Sequence, residues 1–168
     1  GGIGSFEVEL GGRWAGIRVA ALVAVNAFGD VLDPRGGGRI LAGARKSVHS
    51  REFRNTSAQM KSPLPIPPAA GNTTLAIVAT NAKLTKVEAT KLAQLAHLGM
   101  ARSISPLHTT IDGDCVFSLS VGERTADINS LGVAAAEAMG EVHDWAEAHL
   151  VNANLSEVAV AGFGKGPG

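Results

Sequence analysis

Between Thr73 and Ser120 the sequence runs strand, helix, strand, and that order constrains the fold more than any other feature of the chain. Thr73 to Thr80 (Thr-Thr-Leu-Ala-Ile-Val-Ala-Thr) is a nearly continuous apolar run, the pattern of a strand inside a sheet. Thr85-Lys86-Val87-Glu88 reads as a capping box. Ala89, Leu92, Ala93 and Ala96 recur behind it at helical spacing, and Gly99 is placed to stop the helix. Cys115 to Ser120 returns to strand. Asp127 can then cap a long helix in which Leu131, Ala134, Ala138, Val142, Trp145 and His149 share one stripe. Strands joined by a helical crossover pair in parallel, so this half predicts α/β layering with helices packed on a sheet. Parallel strands begin at the same edge. Thr73 and the acidic turn Asp112-Gly113-Asp114 are therefore expected to be neighbours in space.

The first half is patterned differently. Residues 5–27 alternate at Phe6, Val8 and Leu10, cross Gly11-Gly12, and continue as an apolar stretch from Trp14 to Ala27. This predicts a hairpin whose second strand is buried on both faces. Phe28 to Gly38 is dense in turn residues and reads as loop, followed by a short apolar piece at Ile40 to Ala42. From Ala44 to Asn72 the pattern dissolves into serines, basic residues and the prolines at 63, 65, 67 and 68, the composition of a flexible linker or processing segment. The tail Gly162 to Gly168 reads as flexible glycine. With 45% hydrophobic residues but no Tyr, two Trp and five Phe, the single core this length supports has to be built from Ala, Val, Leu and Ile. The opening Gly1-Gly2-Ile3-Gly4 has no Met and leads straight into strand, so the chain reads as the C-terminal part of something longer.

Several function classes have little support. Fifteen Lys plus Arg balance fifteen Asp plus Glu, which leaves no basic field to draw nucleic acid or an anionic membrane. No apolar run approaches the roughly 20 residues of a membrane span, and the cytoplasm is the default compartment. Cys115, the one cysteine, allows no internal disulfide or zinc cluster and reads as a buried structural residue. His49, His97, His108, His143 and His149 lack the spacing that sets two ligands on one helical face, so all five read as solvated or packed. Arg35-Gly36-Gly37-Gly38-Arg39 reads as a surface turn, and Gly162-Phe163-Gly164-Lys165-Gly166 lacks the hydroxyl residue and helix of a phosphate loop. No metal or cofactor is implied. Asp112-Gly113-Asp114 alone is most simply a turn, and Asn72-Thr73-Thr74 alone a strand entry; their shared sheet edge makes them informative together.

Three segments carry a wider pattern: Gly71-Asn72-Thr73-Thr74-Leu75-Ala76-Ile77-Val78-Ala79-Thr80-Asn81-Ala82, His97-Leu98-Gly99-Met100-Ala101-Arg102, and Pro106-Leu107-His108-Thr109 with Asp112-Gly113-Asp114-Cys115-Val116-Phe117. Together they resemble the L-aminopeptidase/D-esterase family, especially its nylon-oligomer branch, the endo-type 6-aminohexanoate-oligomer hydrolases. Gly1-Gly2-Ile3-Gly4 and Val23-Ala24-Val25-Asn26-Ala27-Phe28-Gly29-Asp30-Val31 resemble the segments that precede the cleavage site in that family.

The resemblance implies an N-terminal-nucleophile hydrolase: a four-layer αββα sandwich, of the aminopeptidase and ornithine-acetyltransferase type, here lacking its N-terminal part. It places self-cleavage between Asn72 and Thr73, so that residues 1–72 end one mature chain, with 44–72 as the flexible segment ahead of the cut, and 73–168 form the other. Thr73 becomes the nucleophile, Asp112 and Asp114 the acidic pair that supports its amine and hydroxyl, and Asn26 the oxyanion donor. The chemistry is coherent, because a freed α-amine with a pKa of about 7.7–8.0 can take the proton of its own hydroxyl. The implied substrate is a small peptide, amide or 6-aminohexanoate oligomer, and the implied assembly a homo-tetramer of processed protomers. Two other readings stay open: a non-catalytic α/β assembly domain, and an acyltransferase of the ornithine acetyltransferase type.

Overall fold

The computed structural model describes residues 2–33, 35–47, 49–63 and 72–150, with side chains of the final helix described to residue 142. Gly71, the prolines at 65, 67 and 68, the side chains of His143, Trp145 and His149, and the glycine tail lie outside the described residues. In chain order the elements are β1 (Gly2–Glu9), β2 (Arg18–Val25), β3 (Asp30–Leu32), β4 (Ile40–Ala42), α1 (Thr56–Met60), β5 (Leu75–Ala82), α2 (Lys86–Ser103), β6 (Ile104–Ser105), β7 (Cys115–Arg124) and α3 (Ile128–Leu150).

Four strands make the main sheet in the order β1-β2-β5-β7, and β4-β3-β6 make a smaller one. β1 and β2 form the expected hairpin, paired from Gly2 opposite Val25 to Glu9 opposite Arg18. β2 runs antiparallel to β5, and β5 parallel to β7, with Leu75 opposite Cys115. The parallel pair follows from the crossover, because a chain that returns through a helix re-enters the sheet in the same direction.

Both helix starts follow their local chemistry. Thr85 Oγ1 accepts from the Glu88 N–H at 3.3 Å while the Glu88 carboxylate accepts from the Thr85 N–H at 2.8 Å, closing the expected capping box. Asp127 caps α3 by accepting from the Ser130 N–H at 2.8 Å. The helix stop was misplaced, however: α2 continues past Gly99 to Ser103. A Cβ at Gly99 would lie 2.1 Å from the Ala136 carbonyl oxygen and 2.8 Å from Met139 Cβ, so this glycine lets α2 approach α3 instead of ending a helix. Leu131, Ala134, Ala138 and Val142 of the expected stripe are buried. They meet Leu92, Ala96 and Met100 of α2 and the sheet residues Val19, Val23, Ala76 and Val78 in one core. Each fully buried large side chain there contributes roughly 1.5–3 kcal/mol.

Three further expectations need correction. β2 is not buried on both faces: Val19, Ala21, Val23 and Val25 face the core, while Arg18 and Leu22 are exposed. Leu22, Ile77 and Phe117 stand in register across the sheet, exposed by 45%, 38% and 57%. The strands do carry apolar residues on both faces, but the helices cover only one. Nor is the stretch after Ala44 patternless. Arg45 bridges Phe53, Arg54 Nε donates to the Arg45 carbonyl at 2.8 Å, and α1 is fixed by Asp30, whose buried carboxylate accepts from Thr56 N–H at 2.5 Å and Thr56 Oγ1 at 2.9 Å. These are isolated side-chain contacts that periodicity does not register. Cys115, finally, is half-buried rather than buried. The Asp33–Arg39 stretch is the expected turn, with Asp33 Oδ1 accepting from the Arg35 and Gly36 N–H groups.

Candidate active site

The sheet register places the site. Ala24 pairs with Leu75 and Leu75 with Cys115, so β2 ends at the edge where β5 and β7 begin. The residues just outside those strand ends therefore meet: Asn26 after β2, Asn72-Thr73-Thr74 before β5, and Asp112-Gly113-Asp114 before β7. All five site residues expected from the sequence lie at this edge.

Backbone and side-chain bonds lock the three segments together. Thr73 N–H donates to the Asn26 main-chain carbonyl at 2.9 Å, and Asn72 Nδ2 donates to the Ala27 carbonyl at 3.1 Å. The Asn72–Thr73 peptide is thus held on both sides by the end of β2. Thr74 N–H donates to Asp114 Oδ1 at 2.6 Å, and Cys115 N–H to the Thr74 carbonyl at 3.0 Å, which seats the acidic turn beside Thr73. Thr73 Oγ1 donates to the Asn72 carbonyl oxygen at 2.7 Å, so the hydroxyl lies against the peptide that precedes it.

Gly113 faces this hydroxyl. A Cβ at Gly113 would come within 2.8 Å of Thr73 Oγ1, and no side chain larger than hydrogen fits there without moving the threonine. On either side of it the carboxylates are unusual. Both Asp112 oxygens and Asp114 Oδ2 are shut off from solvent, with no partner of hydrogen-bond geometry among the described residues. Burial first, and then the adjacent Asp114 carboxylate, push Asp112 up from 3.8 to about 6 against the opposing pull of the Gly113 amide. A carboxylate pair with free acceptor oxygens, closed off from water, is built to receive a cation or a proton.

Two histidines read from sequence as unrelated are joined here. His97, in the last part of α2, and His108, in the loop beyond it, share a hydrogen bond of 2.9 Å between Nδ1 and Nε2, with ring centroids 4.5 Å apart. Burial lowers the pKa of His97, His108 lowers it further, and the charge of Asp114 opposes both. Among the described residues no group of three or more His, Cys, Asp or Glu could hold a metal ion, and no helix is long and apolar enough to cross a membrane. Sequence reasoning missed the role of Gly113 and the histidine pair. The glycine was visible between its aspartates, but its contact is with a residue forty positions away.

The architecture matches that of solved structures. The L-aminopeptidase D-Ala-esterase/amidase of Ochrobactrum anthropi, described as a new variant among the Ntn-hydrolase fold, superposes with a TM-score of 0.53 at 19% identity, over 84% of this chain and 38% of that one. A protein from Pyrococcus horikoshii OT3 gives a TM-score of 0.57 at 22% identity, over 86% of this chain and 38% of that one. The fold is that of the Ntn-hydrolase aminopeptidases, of which the described residues supply a four-stranded sheet with its helical layer and a smaller three-stranded sheet.

The chain belongs to peptidase family S58, whose sequence profile matches residues 1–162. An uncharacterised aminopeptidase of Mycobacterium leprae (strain TN) is 37% identical over 139 residues, 76% of this chain and 36% of that protein. The 6-aminohexanoate-oligomer endohydrolase of Kocuria sp. (strain KY2) is 32% identical over 114 residues, 66% of this chain and 32% of that protein. The chain thus spans about a third of the length of these relatives.

Proposed function

We propose that this chain belongs to a self-processing amide-bond hydrolase in which the Asn72–Thr73 peptide is cut and Thr73 becomes an N-terminal nucleophile. The observation that carries the reading is the Thr73 hydroxyl, 2.7 Å from the Asn72 carbonyl oxygen and facing, across Gly113, two sequestered carboxylates.

In the uncut chain Thr73 Oγ1 attacks the Asn72 carbonyl carbon. The C–N bond breaks, the nitrogen takes up a proton, and an ester joins Asn72 to the threonine oxygen. Water then attacks the ester, leaving a carboxylate on Asn72 and both a free amine and a free hydroxyl on Thr73. The amine, once protonated, meets the unpartnered oxygens of Asp112 and Asp114. In its neutral form it takes the hydroxyl proton during attack on a substrate amide, giving an acyl-threonine that water releases. Asn26 supplies its side-chain amide to the developing oxyanion. The cut leaves residues 1–72 and 73–168 joined, because β2 and β5 come from opposite sides of the scissile bond and pair from Val19–Thr80 to Ala24–Leu75.

The substrate class is small peptide or amide, with 6-aminohexanoate oligomers favoured by the Kocuria relative and by a threonine where the Ochrobactrum enzyme is called a serine aminopeptidase. Processed protomers assemble as a homo-oligomer. The exposed row Leu22, Ile77 and Phe117 lies on the sheet face that a second sheet covers in a four-layer sandwich. The test is a denaturing gel of the full-length protein with N-terminal sequencing. Two bands are expected, the smaller starting at Thr73, and a single band for Thr73→Ala; an uncut wild type that still hydrolyses amides refutes the mechanism.

A further inference from the structure

We propose that His97 and His108 are a positioning pair, whose hydrogen bond holds the acidic turn in register with Thr73. The proposal rests on the reading of Thr73 as the self-cleaving nucleophile and adds two residues to its support.

The argument follows the chain. Asp112 and Asp114 lie in a loop that leaves α2 through β6 and enters β7, and a loop places a carboxylate no better than its own anchors allow. At its far end the anchor is Asp114 Oδ1 on the Thr74 N–H, at 2.6 Å. At its near end the turn closes through Asp112 N–H on the Thr109 carbonyl, at 3.1 Å, so Asp112 is as fixed as residues 108 and 109 are. His108 is what fixes them. Its Nε2 meets His97 Nδ1 at 2.9 Å, and His97 stands on α2, which is packed along α3. The histidine pair therefore connects a rigid helix to the loop, and the loop to both aspartates.

Backbone geometry supports this independently. His108 has φ of +54°, in the left-handed region that only a few per cent of residues other than glycine occupy, so the loop here takes an uncommon and defined shape. The rings also meet edge to face, with an angle of 64° between their planes.

The pair has a protonation rule. Two neutral imidazoles bond with one donor and one acceptor, and a single added proton keeps the bond. A second proton sets two donors against each other and breaks it. The groups whose charge bears on His97 are His108 from the loop and Asp114 from the acidic turn; α3, packed along α2, adds none among the described residues.

The test uses the full-length protein and follows the rate at which the Thr73 N-terminus forms, across about pH 5 to 9, the span in which histidine and Asp112 titrate. His108→Ala is expected to slow cleavage on the order of 10- to 100-fold, the size of effect that a misplacement of up to about 1 Å produces. His108→Gln, whose amide can bond to His97 but cannot take a proton, is expected to restore most of the rate near pH 8 and to give a shallower acid limb, with only the Asp112 contribution left. A wild-type rate in His108→Ala overturns the proposal, as does a His108→Gln protein as slow as the alanine variant at every pH. Thr73→Ala, run alongside, separates the two levels: if it is still cut, the nucleophile reading fails and the pair with it. If only Thr73→Ala stops cleavage and both His108 variants match wild type, the pair alone is refuted.

Discussion

Gly113→Ala is the sharpest perturbation of the site, because it adds one methyl group at a known distance from the atom proposed to react. The new Cβ would stand 2.8 Å from Thr73 Oγ1, 3.6 Å from Cγ2 and 3.8 Å from Cβ. Only the first distance is too short, so the clash falls on the hydroxyl and spares the rest of the residue. Relief needs a shift of roughly 0.7 Å to reach the usual contact range of about 3.5 Å, and of about 0.5 Å to leave the severe clash. Thr73 cannot take this up freely, since a β-branched side chain has few χ1 choices and a 30° departure costs about 0.5–1.5 kcal/mol. Thr73 Oγ1 also gives up its place beside the Asn72 carbonyl. With about 1 Å of misplacement worth on the order of 10²-fold, a shift of half that size predicts a tenfold or greater loss of self-cleavage.

Stability should move the other way or not at all. Gly113 is exposed, its φ lies outside the left-handed region, and replacing such a glycine by alanine typically adds about 0.4–1 kcal/mol by restricting the unfolded chain. The assay is therefore a pair of measurements on the full-length protein: the time course of the fragment starting at Thr73, and the urea midpoint of the uncut form in the Thr73→Ala background. A slow cut with an unchanged or raised midpoint is expected. Gly113→Ala cleaving at the wild-type rate refutes the placement of the hydroxyl as nucleophile, because no other short contact is made.

Two more perturbations test the electrostatics and the packing. Asp112 is raised to about 6 from 3.8, so its neutral form suits the fold; its contribution is fully present below pH 3.8 and lost as pH rises through about 6. Asp112→Asn should remove that loss and raise the thermal midpoint at neutral pH, while taking away the part of the rise in cleavage rate through about pH 6 that ionisation of Asp112 gives. An Asn variant with the wild-type pH profile sinks this assignment. Gly99→Ala, away from the site, should cost about 1–3 kcal/mol despite alanine's better helix propensity, since its Cβ meets Ala136 backbone at 2.1 Å. A urea titration that finds it neutral or stabilising shows that α2 and α3 are not so closely packed.

How much of this could be read beforehand depended on the range of each signal. The capping box of Thr85 and Glu88 and the cap of Asp127 act within three residues, and both were legible. The meeting of Thr73 with Asp112 and Asp114 was legible at long range only because topology made it so: one helical crossover forces one shared edge. Gly99 was misread because a glycine late in a helix has two uses, and the sequence around it does not distinguish a stop from a close approach. His97 and His108 were missed for a related reason. They pair across the end of α2 at a separation of eleven residues, a spacing that belongs to no regular element.

The error on β2 is the most instructive. Its apolar residues on both faces predict a strand covered twice, and among the described residues it is covered once. The pattern was still informative, because Leu22 is continued by Ile77 on β5 and Phe117 on β7 in one exposed row. A row of that kind, on a sheet whose other face is filled by two helices, is the complement of a second sheet. It lies in a chain that spans about a third of its relatives. The sequence pattern therefore marks a face that the described residues leave uncovered. The site does not share that dependence in its nucleophilic half, since Asn26, Asn72, Thr73, Asp112 and Asp114 are all held by bonds within these residues.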